Sequence, residues 1–278
     1  MRVRWRRLRP LIVVGFAVAL VGEGFAESAQ EALTKALHGT QASAVVLDLK
    51  TGLQLAVVGE PRRGTPGSTV KPLLLEYALE HGIVTTQTQV FCRRDLHIGR
   101  RALPCTHPAK ENVFTAETAL AESCNTYFAE LGRRFSAQQL ERVLRQTRLP
   151  HGSLEGATPE ERELTVLGLQ GVMASPLEMA QAYRQLAATL PADGPVAHGL
   201  AASVSYGMAD AAAVQGMTIL GKTGTASNPH ESWTHGWFAG VLPGRLVVVV
   251  LVPKGDGGTA ARLAQGFFQA LQHAEIPR

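Results

Sequence analysis

Ser68 and Lys71 lie three positions apart in Pro66-Gly67-Ser68-Thr69-Val70-Lys71-Pro72. On a helix that spacing sets a hydroxyl and an amine on one face, one above the other. A serine hydroxyl becomes a nucleophile when a neighbour takes its proton, and a lysine takes a proton once burial or a second cation has driven off its own. The Pro-Gly lead-in turns the chain sharply into the helical run Leu73 to Leu79. Taken alone the pair is weak, since a serine followed three residues later by a lysine arises by chance about once in a chain of this size.

Two later stretches add chemistry. Ser123-Cys124-Asn125 offers a second hydroxyl and an amide, and Lys222-Thr223-Gly224-Thr225 offers a second cation with two more hydroxyls. A serine, a base beside it, a second hydroxyl and a cation at a strand edge are what acyl transfer from a carboxylate-ended peptide needs. Simpler roles exist for each part. Ser123 and Asn125 also suit a helix cap, and Gly224 also suits close packing on a strand. Lys50-Thr51-Gly52 repeats Lys-Thr-Gly ahead of Ser68, where a hairpin turn accounts for its glycine. Only the ordered set of three therefore carries weight.

The elements that must hold these groups follow from the pattern of the chain. Glu27 to Leu37 reads as a helix, and 42–49 and 53–58 as two strands of a hairpin. Residues 82–200 carry mostly helical signals. Within them Thr158-Pro159-Glu160-Glu161 and Ser175-Pro176-Leu177-Glu178 are capping boxes with a first-turn proline. Met217 to Leu220, Thr234 to Val241 and the β-branched run Leu246 to Val252 read as strands, and about Thr259 to His273 as a last helix. The expected fold class is α+β: an antiparallel sheet of about five strands flanked by terminal helices, plus a mostly helical subdomain.

Arg2, Arg4, Arg6, Arg7 and Arg9 precede the apolar run Leu11 to Gly22, and small residues Gly24 and Ala26 follow. This is the pattern of a secretory signal over 1–26, with residues 27–278 as the domain; an uncleaved membrane anchor is the alternative. The run is shorter than the roughly 20 residues that span a bilayer. Of 27 Lys and Arg and 23 Asp and Glu, residues 1–26 remove five arginines and Glu23, leaving 22 of each sign. The basic pI of about 9.1 thus belongs to the leader, and no nucleic-acid partner is implied. Cys92, Cys105 and Cys124 belong to an exported chain in which disulfides persist. A Cys92–Cys105 bond, favoured over the alternative of free thiols, would close a loop of about 14 residues and contribute on the order of 3 kcal/mol, with Cys124 left over as a small buried residue. His107, His230 and His235 show no metal-ligand spacing and read as surface or hydrogen-bonded residues, so no metal and no organic cofactor is expected.

Longer stretches carry a resemblance. Pro-Gly-Ser-Thr-Val-Lys-Pro, Ser-Cys-Asn-Thr-Tyr-Phe at 123–128, Ser-Pro-Leu-Glu-Met-Ala-Gln-Ala-Tyr at 175–183, Gly-Lys-Thr-Gly-Thr-Ala at 221–226 and His-Gly-Trp-Phe-Ala-Gly at 235–240 together resemble the transpeptidase domain of penicillin-binding proteins, from about Ala42 onward. The loop holding Cys92 and Cys105 is similar too. The resemblance implies the β-lactamase/transpeptidase-like fold. Ser68 becomes the acylated nucleophile and Lys71 its proton acceptor. Ser123 relays a proton to the leaving amine, Asn125 holds the substrate amide, and Lys222 keeps Lys71 neutral. Thr223, Gly224 and Thr225 bind the substrate carboxylate, and the backbone N–H groups of Ser68 and Thr225 form the oxyanion hole. It implies peptidoglycan stem peptides ending in D-Ala-D-Ala as substrate, β-lactams as covalent ligands, and an exported location.

Family members that build walls commonly carry a further domain before the transpeptidase, and only about 40 residues separate the leader from Ser68. Cross-linking, carboxypeptidation and β-lactam hydrolysis share this chemistry. Glu161 is the one candidate for a hydrolytic base, and its place in the capping box of Thr158 gives it another role. A β-lactam sensor without turnover is a further alternative, though no second long apolar segment offers a signalling span.

Overall fold

The computed structural model describes residues 14–108, 112–229 and 231–275. In chain order these form α1 (Val14–Leu37), β1 (Ser43–Asp48), β2 (Gln54–Val58), α2 (Lys71–Glu80), the short strands β3 (Val90–Phe91), β4 (His97–Ile98), β5 (Arg101–Ala102) and β6 (Val113–Phe114), then α3 (Ala116–Ala121), α4 (Asn125–Arg134), α5 (Ala137–Gln146), α6 (Pro159–Val166), α7 (Pro176–Thr189) and α8 (Pro195–Ser205), and last β7 (Leu220–Ala226), β8 (His235–Leu242), β9 (Leu246–Val252) and α9 (Gly257–Glu275).

β1, β2, β7, β8 and β9 make one antiparallel sheet in the order β2-β1-β9-β8-β7. All seven residues of β9 are buried because the sheet is covered on both faces. The pleat sorts them alternately. Val247, Val249 and Leu251 pack with Trp237, Tyr183 and the helical subdomain, whereas Val248, Val250 and Val252 pack with Leu33, Phe267 and Phe268 of α1 and α9. An uninterrupted apolar run is what such a two-sided strand requires.

The α+β expectation holds, with two boundaries moved. The late sheet opens at Leu220, not Met217, so Lys222 to Thr225 lie inside strand β7. Gly221 and Gly224 look like strand breakers in sequence, yet here they permit close packing: a side chain on Gly221 would meet Val204 and Phe238, and one on Gly224 would sit 2.5 Å from the Pro66 carbonyl oxygen. At the other end α1 runs unbroken past residue 26, with Phe25 packed under the Arg245 guanidinium and against the α1/α9 face of the core. Residues 1–13 and His230 lie outside the described residues; among the described residues no helix is long and apolar enough to cross a membrane. The early Lys50-Thr51-Gly52 is a hairpin turn, with Asp48 Oδ1 accepting from the Thr51 amide and hydroxyl and Gly52 at φ 75°.

Candidate active site

β7 is an edge strand, so one side of its backbone has no strand partner. Ser68 sits on a single 3-10 turn, Gly67 to Val70, that packs against β7 and leads into α2. The turn is held from four directions. Thr69 Oγ1 donates to the Pro66 carbonyl and Tyr183 Oη to the Thr69 carbonyl, both at 2.8 Å. Just upstream, the Thr65 carbonyl accepts from Trp237 Nε1 at 3.0 Å and His235 Nε2 at 2.7 Å, and Asn228 Oδ1 accepts from the Thr65 amide at 2.9 Å. Tyr183, His235 and Trp237 come from two of the longer stretches noted in the sequence, and anchoring this turn is what they do. His235, expected at the surface or hydrogen-bonded, is buried and bonded.

The fourth support had no signal in sequence. Gly67 N donates to the Gly168 carbonyl at 2.9 Å, and Gly168, at φ 68°, packs so closely that any side chain would overlap the Gly67 carbonyl oxygen. Gly168→Ala combines a left-handed backbone with a clash. It is expected to destabilise the protein by roughly 2–5 kcal/mol and to displace Ser68. Thermal unfolding with penicillin labelling measures both, and an unchanged midpoint would contradict the packing described.

Lys71 is wholly buried and its amine meets three oxygens: Asn125 Oδ1 at 2.9 Å, the Ser123 carbonyl at 3.0 Å and Ser123 Oγ at 3.2 Å. Burial brings the Lys71 ammonium down to about 8, against opposing pulls from the Cys124 and Cys105 sulfurs. The surroundings suit either protonation state. An ammonium donates to all three oxygens, and a neutral amine donates to the two obligate acceptors while accepting from the Ser123 hydroxyl. A group that keeps its partners in both states can pass a proton with little rearrangement.

Ser123 holds a left-handed backbone, φ 55°, and Asn125 opens α4. Neither is a helix cap, for no side chain caps α4 and the Asn125 amide is turned to Lys71. Lys222 is also fully buried, its amine donating to the Thr223 carbonyl at 3.2 Å. Burial, with the nearby charge of Lys71, pushes the Lys222 ammonium well below its ordinary range, and Glu122 acts weakly the other way.

The pleat of β7 divides the remaining residues. Gly224 faces the Ser68 turn, and a side chain at Gly67 would lie 3.1 Å from the Thr225 amide nitrogen, so the two backbones intended as an oxyanion hole are neighbours. Thr225 is exposed; its Oγ1 accepts from the Gly257 amide at the start of α9, leaving the hydroxyl proton to donate. Thr223 is different. It is buried against Gly257 and donates its proton to the Met208 carbonyl at 3.0 Å.

The cysteines also require correction. Cys92, Cys105 and Cys124 are all free and buried, with no Cys92–Cys105 bond. Cys92 Sγ turns to His107 Nε2 at 3.5 Å and Thr126 Oγ1 at 3.4 Å, and Cys105 Sγ lies 3.9 Å from Cys124 Sγ, far beyond the 2.05 Å or so of a disulfide. The hydrogen bond between Cys105 and Cys124 draws the Cys105 thiol down and holds that of Cys124 up, with burial adding to the latter. His107, expected at the surface or hydrogen-bonded, belongs to this cluster and is buried and bonded, with Nδ1 3.1 Å from the Pro108 carbonyl.

Together, the edge strand carries one buried lysine, and a second buried lysine, bonded to a serine and an asparagine, follows the braced serine turn. The chain belongs to the penicillin-binding protein transpeptidase domain family, whose model matches residues 42–271. Its fold is shared by the D,D-transpeptidase domain of a peptidoglycan glycosyltransferase from Eggerthella lenta, 22% identical, TM-score 0.78, covering 90% of this chain and 82% of that one. The transpeptidase domain of Burkholderia pseudomallei penicillin-binding protein 3 is 20% identical, TM-score 0.74, covering 93% and 96%. Pseudomonas aeruginosa PBP2 in complex with WCK 5153 is 20% identical, TM-score 0.73, covering 90% and 77%. No curated protein matches the chain in sequence.

Proposed function

We propose that the chain is an exported serine acyltransferase that acts on peptidoglycan stem peptides ending in D-Ala-D-Ala through a Ser68 acyl-enzyme, and that penicillins acylate the same hydroxyl. The observation that carries this is the buried Lys71 amine, lowered to about 8 and bonded to Ser123 and Asn125, one helical turn beyond Ser68. Neutral Lys71 takes the Ser68 proton as Oγ attacks the carbonyl carbon between the two D-alanines. The developing oxyanion lies against the Ser68 and Thr225 amides. Collapse breaks the C–N bond, and the proton passes through Ser123 to the leaving D-alanine amine. The Thr225 hydroxyl receives the terminal carboxylate, and the open edge of β7 aligns an extended peptide. An amine acceptor then gives a cross-link, and water gives the trimmed peptide. The arginines at the N-terminus and the apolar run behind them support export.

Incubation with a D-Ala-D-Ala-ended pentapeptide, with and without an amine acceptor, followed by mass spectrometry of the products, tests the reading. Release of D-alanine is expected; a peptide left intact would contradict it.

Hydrolysis of the penicilloyl ester has no poised base in Glu161. Its Oε2 accepts from the Thr158 amide at 2.8 Å while the Glu161 amide donates to Thr158 Oγ1 at 3.2 Å, a complete capping box on an exposed turn. Glu161→Gln is therefore expected to leave the lifetime of the penicilloyl ester, minutes or longer, unchanged within about twofold. Rapid turnover of penicillin that this substitution abolishes would move the protein to the β-lactamases.

A further inference from the structure

Four potential metal donors converge behind the active site, outside the chemistry proposed above. Cys92 follows β3, Cys105 lies in the loop after β5, His107 two residues on, and Cys124 immediately before α4. Their donor atoms all lie within 4.8 Å of one another, and all four residues are buried. Backbone hydrogen bonds assemble them: the Cys92 amide donates to the Asn112 carbonyl at 2.7 Å, and the Cys105 amide to the Arg94 carbonyl at 2.8 Å.

We propose that Cys92, Cys105, His107 and Cys124 bind one tetrahedral zinc ion, and that this ion fixes the loop carrying Ser123 and Asn125. Zinc–sulfur bonds of about 2.3 Å and a zinc–nitrogen bond of about 2.0–2.1 Å imply tetrahedral edges of roughly 3.8 Å between sulfurs and roughly 3.6 Å from sulfur to nitrogen. The Cys105–Cys124 separation is 3.9 Å and the Cys92–His107 separation 3.5 Å.

The surroundings suit a closed structural site. His107 Nδ1 faces the Pro108 carbonyl at 3.1 Å, the closer of its two polar contacts, and Arg94 Nη1 stands at 3.5 Å. Donation to that carbonyl sets the tautomer in which Nε2 presents a lone pair to the sulfurs, as a metal-bound imidazole must. Thr126 Oγ1 lies 3.4 Å from Cys92 Sγ and 3.7 Å from Cys105 Sγ, and the amides of Thr126 and Tyr127 donate to Cys105 and Cys124. Binding releases three thiol protons and leaves three thiolates with Zn²⁺, one net negative charge. The Arg94 guanidinium, bonded to the His107 and Pro108 carbonyls, lies beside it to balance that charge.

The consequence for the active site comes from chain connectivity. Cys124 stands between Ser123 and Asn125, the two residues that hold the Lys71 amine, and Ser123 keeps a left-handed backbone that a non-glycine residue resists by about 1–2 kcal/mol. A metal bond to Cys124 holds that loop in place. These four are positioning residues.

The full chain, purified without reductant or chelator, is tested by elemental mass spectrometry and by exchange with Co²⁺. One zinc per chain and a cobalt spectrum with thiolate charge-transfer bands and strong tetrahedral d–d bands are expected. Cys105→Ser should lower zinc affinity by about a hundredfold or more, whereas His107→Cys, which keeps four donors, should retain the metal. Stripping zinc should slow penicillin acylation, and Zn²⁺ alone should restore it. A chain without stoichiometric metal, a weak octahedral cobalt spectrum, or a Cys105–Cys124 disulfide in a non-reduced peptide map would overturn the proposal. Metal content and the cobalt spectrum of the unaltered chain decide this even if Cys105→Ser fails to fold or acyl transfer proves absent.

Discussion

Ser68→Ala protein is expected to fold as the wild type does and to take up no covalent penicillin, with acylation lowered by about a million-fold, the loss typical of removing an enzyme's nucleophile. The fold should persist because the turn is held by groups other than the Ser68 side chain: the Thr69 hydroxyl, Tyr183, Trp237, His235 and the Gly67–Gly168 contact. The half-buried Ser68 hydroxyl is a small volume to lose. Gel fluorescence with a labelled penicillin, paired with thermal unfolding, separates the two effects. Labelling that survives the substitution would place the nucleophile elsewhere.

Lys71→Ala carries the second large effect, a fall in acylation rate of about 10²–10⁴, the usual contribution of a positioned base. The sign of the pH dependence follows from burial. Lys71 holds its proton below about pH 8 and releases it above, so the wild-type rate should climb with pH and level off above about 8. In Lys71→Ala that rise should disappear with the rate. The substitution also leaves Asn125 Oδ1 and the Ser123 carbonyl without their amine, at about 1–3 kcal/mol for each group that water does not reach. A wild-type rate and pH profile in the variant would assign the base to another group.

The residues that were legible in sequence are those whose type alone limits what they can do. β9 could be placed because seven consecutive apolar, mostly β-branched residues fit a strand buried on both faces. The starts of α6 and α7 were legible because Thr158 and Ser175 each stand three residues ahead of the glutamate that closes the box. The candidate set could be assembled because its three stretches fall in order, and the structure brings Lys71, Ser123 and Asn125 into contact. What sequence did not yield depends on which way a side chain faces or on what distant loops do. Thr223 and Thr225 look equivalent in sequence, but only the fold shows that Met208 captures the first. Gly168 is one glycine of 28 until the Gly67 carbonyl is seen against it. Loop length and an exported setting favour a Cys92–Cys105 pair. The actual arrangement of the cysteines needs the start of α4 to bring Cys124 against Cys105, a contact that no local spacing encodes.

The central claim is that one serine hydroxyl, braced between β7 and the Gly168 turn, becomes acylated. Its most direct test is to incubate the wild-type chain with penicillin, quench in acid, digest and locate the added mass by tandem mass spectrometry. The account predicts a single penicilloyl group on the oxygen of Ser68. An adduct on Ser123 or any other residue, or no adduct after prolonged incubation above pH 8, would contradict it.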